Sequence, residues 1–283
     1  MPEVIPSFDV RVPDIRRVGL DRPWEWLAAG WRDFLRAPAI SMTFGLILAL
    51  AGALLSVGLW MAGMVYLVLP LAAGFMIVGP FMGLAFYEVS RRRASGEPIT
   101  FGAIAFAITR NPRHFGVMGF ILLLILLTWI RIGAMIFMLY WGMDPPPLHD
   151  LIVNTFLRPE SLPFLVLGTA VGAVFAGLTF AVSVVSIPMM LDRKVDVLTA
   201  VVTSVRVVRH NPLVMLFWAA LIAGFVGVGI ATVFLGLIVT LPLIGHATWH
   251  AYKDLVLAGT SAMPAGARDD VMASGFIARP RTR

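Results

Sequence analysis

Between Arg36 and Glu88 the chain runs through 51 residues without an acid, a base or a histidine. A hydrocarbon bilayer is the natural solvent for such a stretch. One helix crosses about 30 Å of hydrocarbon with about 20 residues, so this length predicts two crossings, Ile40 to Met61 and Val65 to Tyr87, joined by a turn at Ala62-Gly63-Met64. Further apolar runs cover Phe115 to Tyr140, Phe164 to Met190 and Met215 to His250. The last again exceeds one crossing, and Gly224, Gly227 and Gly229 mark its expected turn. The runs are continuously apolar and do not alternate, which favours helices over a barrel. Composition agrees: 13% of residues are charged, against about 25% in soluble domains. The expected fold is all-α, a polytopic membrane bundle of six transmembrane helices.

Three corners punctuate it: Leu35-Arg36-Ala37-Pro38, Thr109-Arg110-Asn111-Pro112 and Arg209-His210-Asn211-Pro212. The residue before a proline is pushed out of the α region, so each ends one helix and starts another. An amphipathic interfacial helix is expected before each. In the first, Asp21 reads as the cap, and Trp24, Leu27, Trp31, Phe34 and Leu35 share the apolar face, with Glu25, Arg32, Asp33 and Arg36 opposite. Thr100 caps the second. In the third, Leu198, Val201, Val202, Val205 and Val208 oppose Thr199, Thr203, Arg206 and His210. With late prolines Pro80, Pro188 and Pro242, the pattern predicts three parallel two-span repeats, about 23–93, 98–192 and 195–255, inside a membrane domain 23–255. Residues 1–22 read as a cytoplasmic tail without a signal peptide, and 256–283 as a disordered cytoplasmic tail. A loop from Asp144 to Pro163, stiffened by Pro145 to Pro147, lies on the opposite side.

Of the 22 lysines and arginines, all but Arg131 and Arg158 fall on the side carrying both termini. Positive charge marks the cytoplasmic side, which predicts a multi-pass protein of the bacterial inner membrane with both termini in the cytoplasm. The net charge of +6 therefore reads as topology, not as nucleic-acid binding. The absence of cysteine removes disulfides and thiolate chemistry.

No phosphate loop, nucleophile–base pair or carboxylate pair stands out, so no enzyme, metal or cofactor is expected. Trp24, Trp26 and Trp31 suit the headgroup layer, and Arg91, Arg92, Arg93, Arg110, Arg113, Arg206 and Arg209 would attract anionic lipids or a partner. Arg131, inside a crossing, is explained by snorkelling or an ion pair; its sharper reading is a transport path. His246 and His250 share a face and, with Asp192, have the composition of a two-histidine, one-carboxylate metal site.

Trp24-Glu25-Trp26-Leu27, Trp31-Arg32-Asp33-Phe34, Gly79-Pro80-Phe81, Tyr87-Glu88 with the following arginines, Arg209-His210-Asn211-Pro212 and Trp249-His250-Ala251-Tyr252 carry a resemblance. The chain resembles an uncharacterised family of bacterial six-span integral membrane proteins, some labelled as cytochrome c oxidase. A haem-copper centre demands six intramembrane histidines, which this chain lacks. At most the resemblance implies an accessory subunit of a respiratory membrane complex, with membrane lipids as the other partner. The rival expectation is a small transporter or channel with Arg131 in its path.

Overall fold

The computed structural model describes residues 13–64, 68–142 and 158–257. The first twelve residues, the start of the second expected crossing at Val65, the loop with Pro145 to Pro147, and the tail beyond Leu257 lie outside the described residues. What is described is helical, with one isolated antiparallel bridge, Ile15 to Val256.

Eleven α-helices follow in order among the described residues: α1 (Arg22–Arg36), α2 (Pro38–Met61), α3 (Val68–Met82), α4 (Leu84–Ser95), α5 (Phe101–Ala105), α6 (Pro112–Trp141), α7 (Leu162–Ser183), α8 (Ser186–Asp192), α9 (Val197–His210), α10 (Pro212–Ala231) and α11 (Leu237–Leu255). The three corners form as the sequence predicts, and alike. Ala37, Asn111 and Asn211 have φ of −136°, −145° and −127° with ψ of 52°, 60° and 52°. Each is followed by a proline in the first turn, where its missing N–H costs nothing. Thr100 Oγ1 accepts from the Ala103 amide, capping α5. Asp196 accepts from the Thr199 amide at 2.9 Å, capping α9. Asp21 precedes α1 without a side-chain cap.

The turn after α2 falls where expected. Gly63, at φ +70°, closes a Schellman motif: the Met64 amide donates to the Leu59 carbonyl at 2.8 Å and the Gly63 amide to that of Trp60 at 3.1 Å. The turn between α10 and α11 does not fall on the glycines. Gly224, Gly227 and Gly229 continue α10, and the reversal comes at Thr232–Gly236, with Val233 and Phe234 left-handed at φ 53° and 66°. Thr232 Oγ1 stabilises it by accepting from the Gly236 amide at 2.9 Å. Gly229 is there for contact instead: a Cβ would meet Leu237 at 2.3 Å.

Four helical stretches have the length and apolarity to cross a membrane: Pro38–Met61, Pro112–Trp141, Pro159–Asp192 and Pro212–Ala231. The outward display of Leu54, Trp60, Met61 and Leu139, each at least 70% exposed, is tolerable in hydrocarbon and costly in water. The other two expected crossings look different. α3 stops at Met82 and the chain restarts as α4 after Gly83. α11 is apolar at its start and carries His246, His250, Lys253 and Asp254 further on.

α11 is the centre of the fold. It packs against α1, α2, α4, α8 and α10, and from Pro242 to Thr248 every residue is buried. Close approach explains two glycines on its neighbours. A Cβ on Gly30 of α1 would sit 2.6 Å from the Ala247 nitrogen, and one on Gly45 of α2 would sit 2.6 Å from the Ile238 carbonyl oxygen.

Two amphipathic faces are corrected. In α1 the buried face is Trp26, Leu27, Gly30, Asp33 and Phe34, whereas Trp24, Trp31 and Leu35 point outward. In α9 the buried face is Thr199, Ala200, Thr203, Ser204 and Val207, and Leu198 is 61% exposed. Small residues let helix backbones approach inside a membrane protein. Ser204 also accepts from the Val185 amide, at the break between α7 and α8. Of the expected apolar face only Leu198 points fully outward, while Val201 and Val208 lie half-buried against the core.

Candidate functional site

The charged edge of the molecule is organised by the second half of α11. Asp254 accepts from Arg22 Nε at 2.8 Å, from Arg16 at 3.1 Å and from the Trp26 indole at 3.0 Å. Burial pushes its carboxyl up, but the bonds from Arg22 and Trp26 and the charges of Arg22 and Arg16 outweigh this and hold it below the usual carboxylate range. His250 Nε2 donates to Asp33 at 2.9 Å, and Arg93 pairs with the same carboxylate. His246, fully buried, bridges Ser41 at 3.0 Å and Ser90 at 2.9 Å. Asp192 accepts from the Tyr252 hydroxyl at 2.6 Å and from Lys253 at 3.0 Å. α11 is thus tied to α1, α2, α4 and α8 by named polar bonds.

These bonds place several of the side chains that the sequence singles out. His246, His250 and Asp192 each bond to a different partner, so they do not converge as a metal site. Among the described residues no three histidines or acids are grouped to hold a metal. Arg91, Arg92 and Arg93 are not an open basic patch. Arg91 grips Glu88 at 2.7 and 3.0 Å and Glu97 at 2.7 and 2.8 Å. Arg92 bonds Glu88 at 2.7 Å and the Pro98 carbonyl at 2.9 Å. Glu88 is fully buried, so these arginines neutralise an interior carboxylate. Trp26 is buried edge-on against Trp218 at 5.6 Å.

Arg206 and Arg209 do face outward. With Arg17 and His210 they line a concavity of about 430 Å3, and no acid pairs with Arg17, Arg206 or Arg209 among the described residues. Sequence reasoning missed Arg17, because its place depends on a distant residue. Asn211, 4% exposed, accepts from the Val18 amide at 3.0 Å and donates to the Arg16 carbonyl at 3.1 Å. The corner residue that ends α9 therefore pins the N-terminal segment so that Arg17 lies beside Arg206 and Arg209. Asn111, at the second corner, instead bonds its own helix through His114.

Trp24, edge-on to Phe217 at 5.7 Å, and Trp31, stacked on Phe34 at 5.2 Å, present exposed rings on α1. Arg113 is exposed near the start of α6; the side chain of Arg110 lies outside the described residues. Arg131 is exposed on the outer side of α6.

Residues 67–192 match the model of a family described as "Predicted integral membrane protein (DUF2189)". The resemblance to an uncharacterised membrane-protein family is thereby found over that segment. No curated protein and no solved structure matches the chain. With its long apolar helices, the chain is an integral membrane protein.

Proposed function

We propose that this is a non-enzymatic protein of the bacterial inner membrane that recognises anionic, phosphate-bearing lipid headgroups at its cytoplasmic edge and serves as an accessory subunit of a membrane complex. The single observation carrying the reading is the concavity of Arg17, Arg206, Arg209 and His210. Arg209 and His210, in the last turn of α9, favour the end of that helix's own dipole. Arg17 and Arg206 have no such reason to be there. Guanidinium groups match phosphate oxygens in geometry and charge. Trp24 and Trp31, exposed on α1, suit the same headgroup layer.

In this reading the chain crosses the membrane six times in three parallel repeats, with both termini cytoplasmic. The near-identical backbone of the three proline corners supports the repeat. Orientation follows from the distribution of arginine and lysine. A path through Arg131 is less well supported, because its side chain lies on the outside of α6.

The test uses the detergent-solubilised full chain, titrated with phosphatidylglycerol or phosphatidylcholine and followed by native mass spectrometry. Preference for the anionic lipid is expected, falling about fivefold for each of Arg17, Arg206 and Arg209 changed to alanine, as loss of about 1 kcal/mol per charge requires. Equal retention of both lipids by the unaltered protein would sink the headgroup reading. Mild purification from native membranes should bring down stoichiometric respiratory subunits; recovery of the chain alone counts against the accessory role.

A further inference from the structure

Away from the basic concavity, a partly open cavity of about 450 Å3 lies among α3, α4, α7, α10 and α11. Its size falls within the roughly 300–1,000 Å3 of ligand pockets. α7 packs on α3, α6 and α9, and α10 packs on α1 and α11. The cavity occupies the space between these two groups, where Ala173, Ala176 and Gly177 of α7 and Ala219, Ala220 and Ala223 of α10 contribute only small side chains.

Its polarity is graded along its length. Tyr87, Thr179, Ser183 and Thr248 line the end nearer the charged edge, while Phe75, Met76, Val226 and Leu241 line the deep end; no charged residue touches it. Ser183 and Thr248 turn their hydroxyls back to carbonyls of their own helices, at 2.6 and 2.8 Å. Thr179 does not. It is 2% exposed, and its Oγ1 has no hydrogen-bond partner among the described residues. Leaving a buried hydroxyl unpaired costs about 1–3 kcal/mol; the oxygen is shut off from the cavity in this rotamer, so it meets an acceptor from outside the chain by a turn of the Thr179 side chain toward the cavity that the residue lines.

We propose that this cavity holds one acyl chain of a bilayer lipid, tail toward Phe75, Met76, Val226 and Leu241, with its ester carbonyl accepting a hydrogen bond from Thr179. The surrounding solvent is itself hydrocarbon, so a void open to it fills with chain. The hydroxyl then fixes how deep the chain enters, and the uncharged lining keeps the phosphate outside. An ester presents its acceptor at one end, as the graded lining demands. A quinone carries carbonyls on opposite edges of its ring and would press one of them against the apolar wall.

The proposal is independent of the headgroup site, and its test reads a different part of the protein. The full chain is placed in phosphatidylcholine nanodiscs containing a lipid with a diazirine near the far end of one acyl chain, irradiated, and mapped by peptide mass spectrometry. Adducts are expected at Phe75, Met76, Val226 or Leu241 in addition to outward residues such as Leu54 and Leu139. Thr179→Val, which keeps the shape and removes the donor, should lower the inward adducts about three- to tenfold relative to the outward ones, the worth of one hydrogen bond. Ala220→Phe should abolish them by filling the space; if that variant does not fold, Thr179→Val decides alone. Adducts confined to outward residues, inward adducts unchanged in Thr179→Val, or displacement of the label by a short-chain quinone would each overturn the proposal.

Discussion

Arg91, Arg92 and Arg93 follow one another on α4, and Arg206 and Arg209 stand one turn apart on α9. As sequence, both groups are short basic runs flanking apolar crossings. In the structure they are opposites. The α4 arginines close on Glu88, Glu97 and Asp33 and hold the charged edge together, whereas the α9 arginines, joined by Arg17, keep their charge facing outward. Position relative to the membrane sets where arginines occur; the presence of a buried carboxylate within reach sets what they do.

The largest effect separating the two groups is expected from Arg91→Met. Removing one partner of a buried ion pair costs about 3–5 kcal/mol; because Arg92 still reaches Glu88, the lower end is expected, read as a fall in the thermal midpoint in detergent. Arg206→Ala should leave that midpoint within about 0.5 kcal/mol of wild type, as exposed substitutions do. Equal losses in the two variants would erase the distinction.

The next effect concerns acid. Asp254 titrates below its ordinary value of 3.8, so its ties to Arg22, Arg16 and Trp26 contribute fully above that value and are lost as pH falls through the depressed one. Asp254→Asn should cost about 2 kcal/mol at neutral pH, the worth of charge-assisted bonds, and flatten the decline of stability below about pH 4. An unchanged acid profile would show that the paired edge draws its stability elsewhere.

Smaller still, Asp196→Ala removes the cap of α9 and should cost about 1 kcal/mol. Since Arg206 and Arg209 ride on that helix, lipid selectivity should weaken with it, in the native-mass-spectrometry titration, by less than the arginine substitutions themselves produce. A larger loss from the cap than from the arginines would place recognition in the helix and not in its charges.

Much of the architecture is legible in sequence because it is local. The corners at Pro38, Pro112 and Pro212, the Gly63 turn and the Thr100 cap depend on residues within a few positions. The facing of α1 and α9 is not legible by the usual rule. Hydrophobic periodicity marks the stripe that avoids water, but beside a bilayer that stripe turns toward lipid as readily as toward the core. Trp24 and Leu198 therefore face out, while Gly30 and Thr203 face in. Glycine spacing misplaces the α10–α11 turn for a related reason: Gly229 serves helix contact, and a threonine hydroxyl makes the reversal. The partners of Asp33 and Asn211 carry no local signal, being 217 and 193 residues away.

α11 also imposes an order on biogenesis. Trp26 and Asp33 emerge from the ribosome early; Arg93 follows soon enough to pair with Asp33, yet His250 and Asp254, which complete the bonds of Asp33 and Trp26, are translated 217 and 228 residues later. Until that helix arrives, the nascent bundle lacks the partners of Trp26, Ser41 and Ser90, and unpaired polar groups within a membrane bundle are costly. Premature termination anywhere before Leu237 should therefore yield a product cleared by proteolysis, not a smaller working protein.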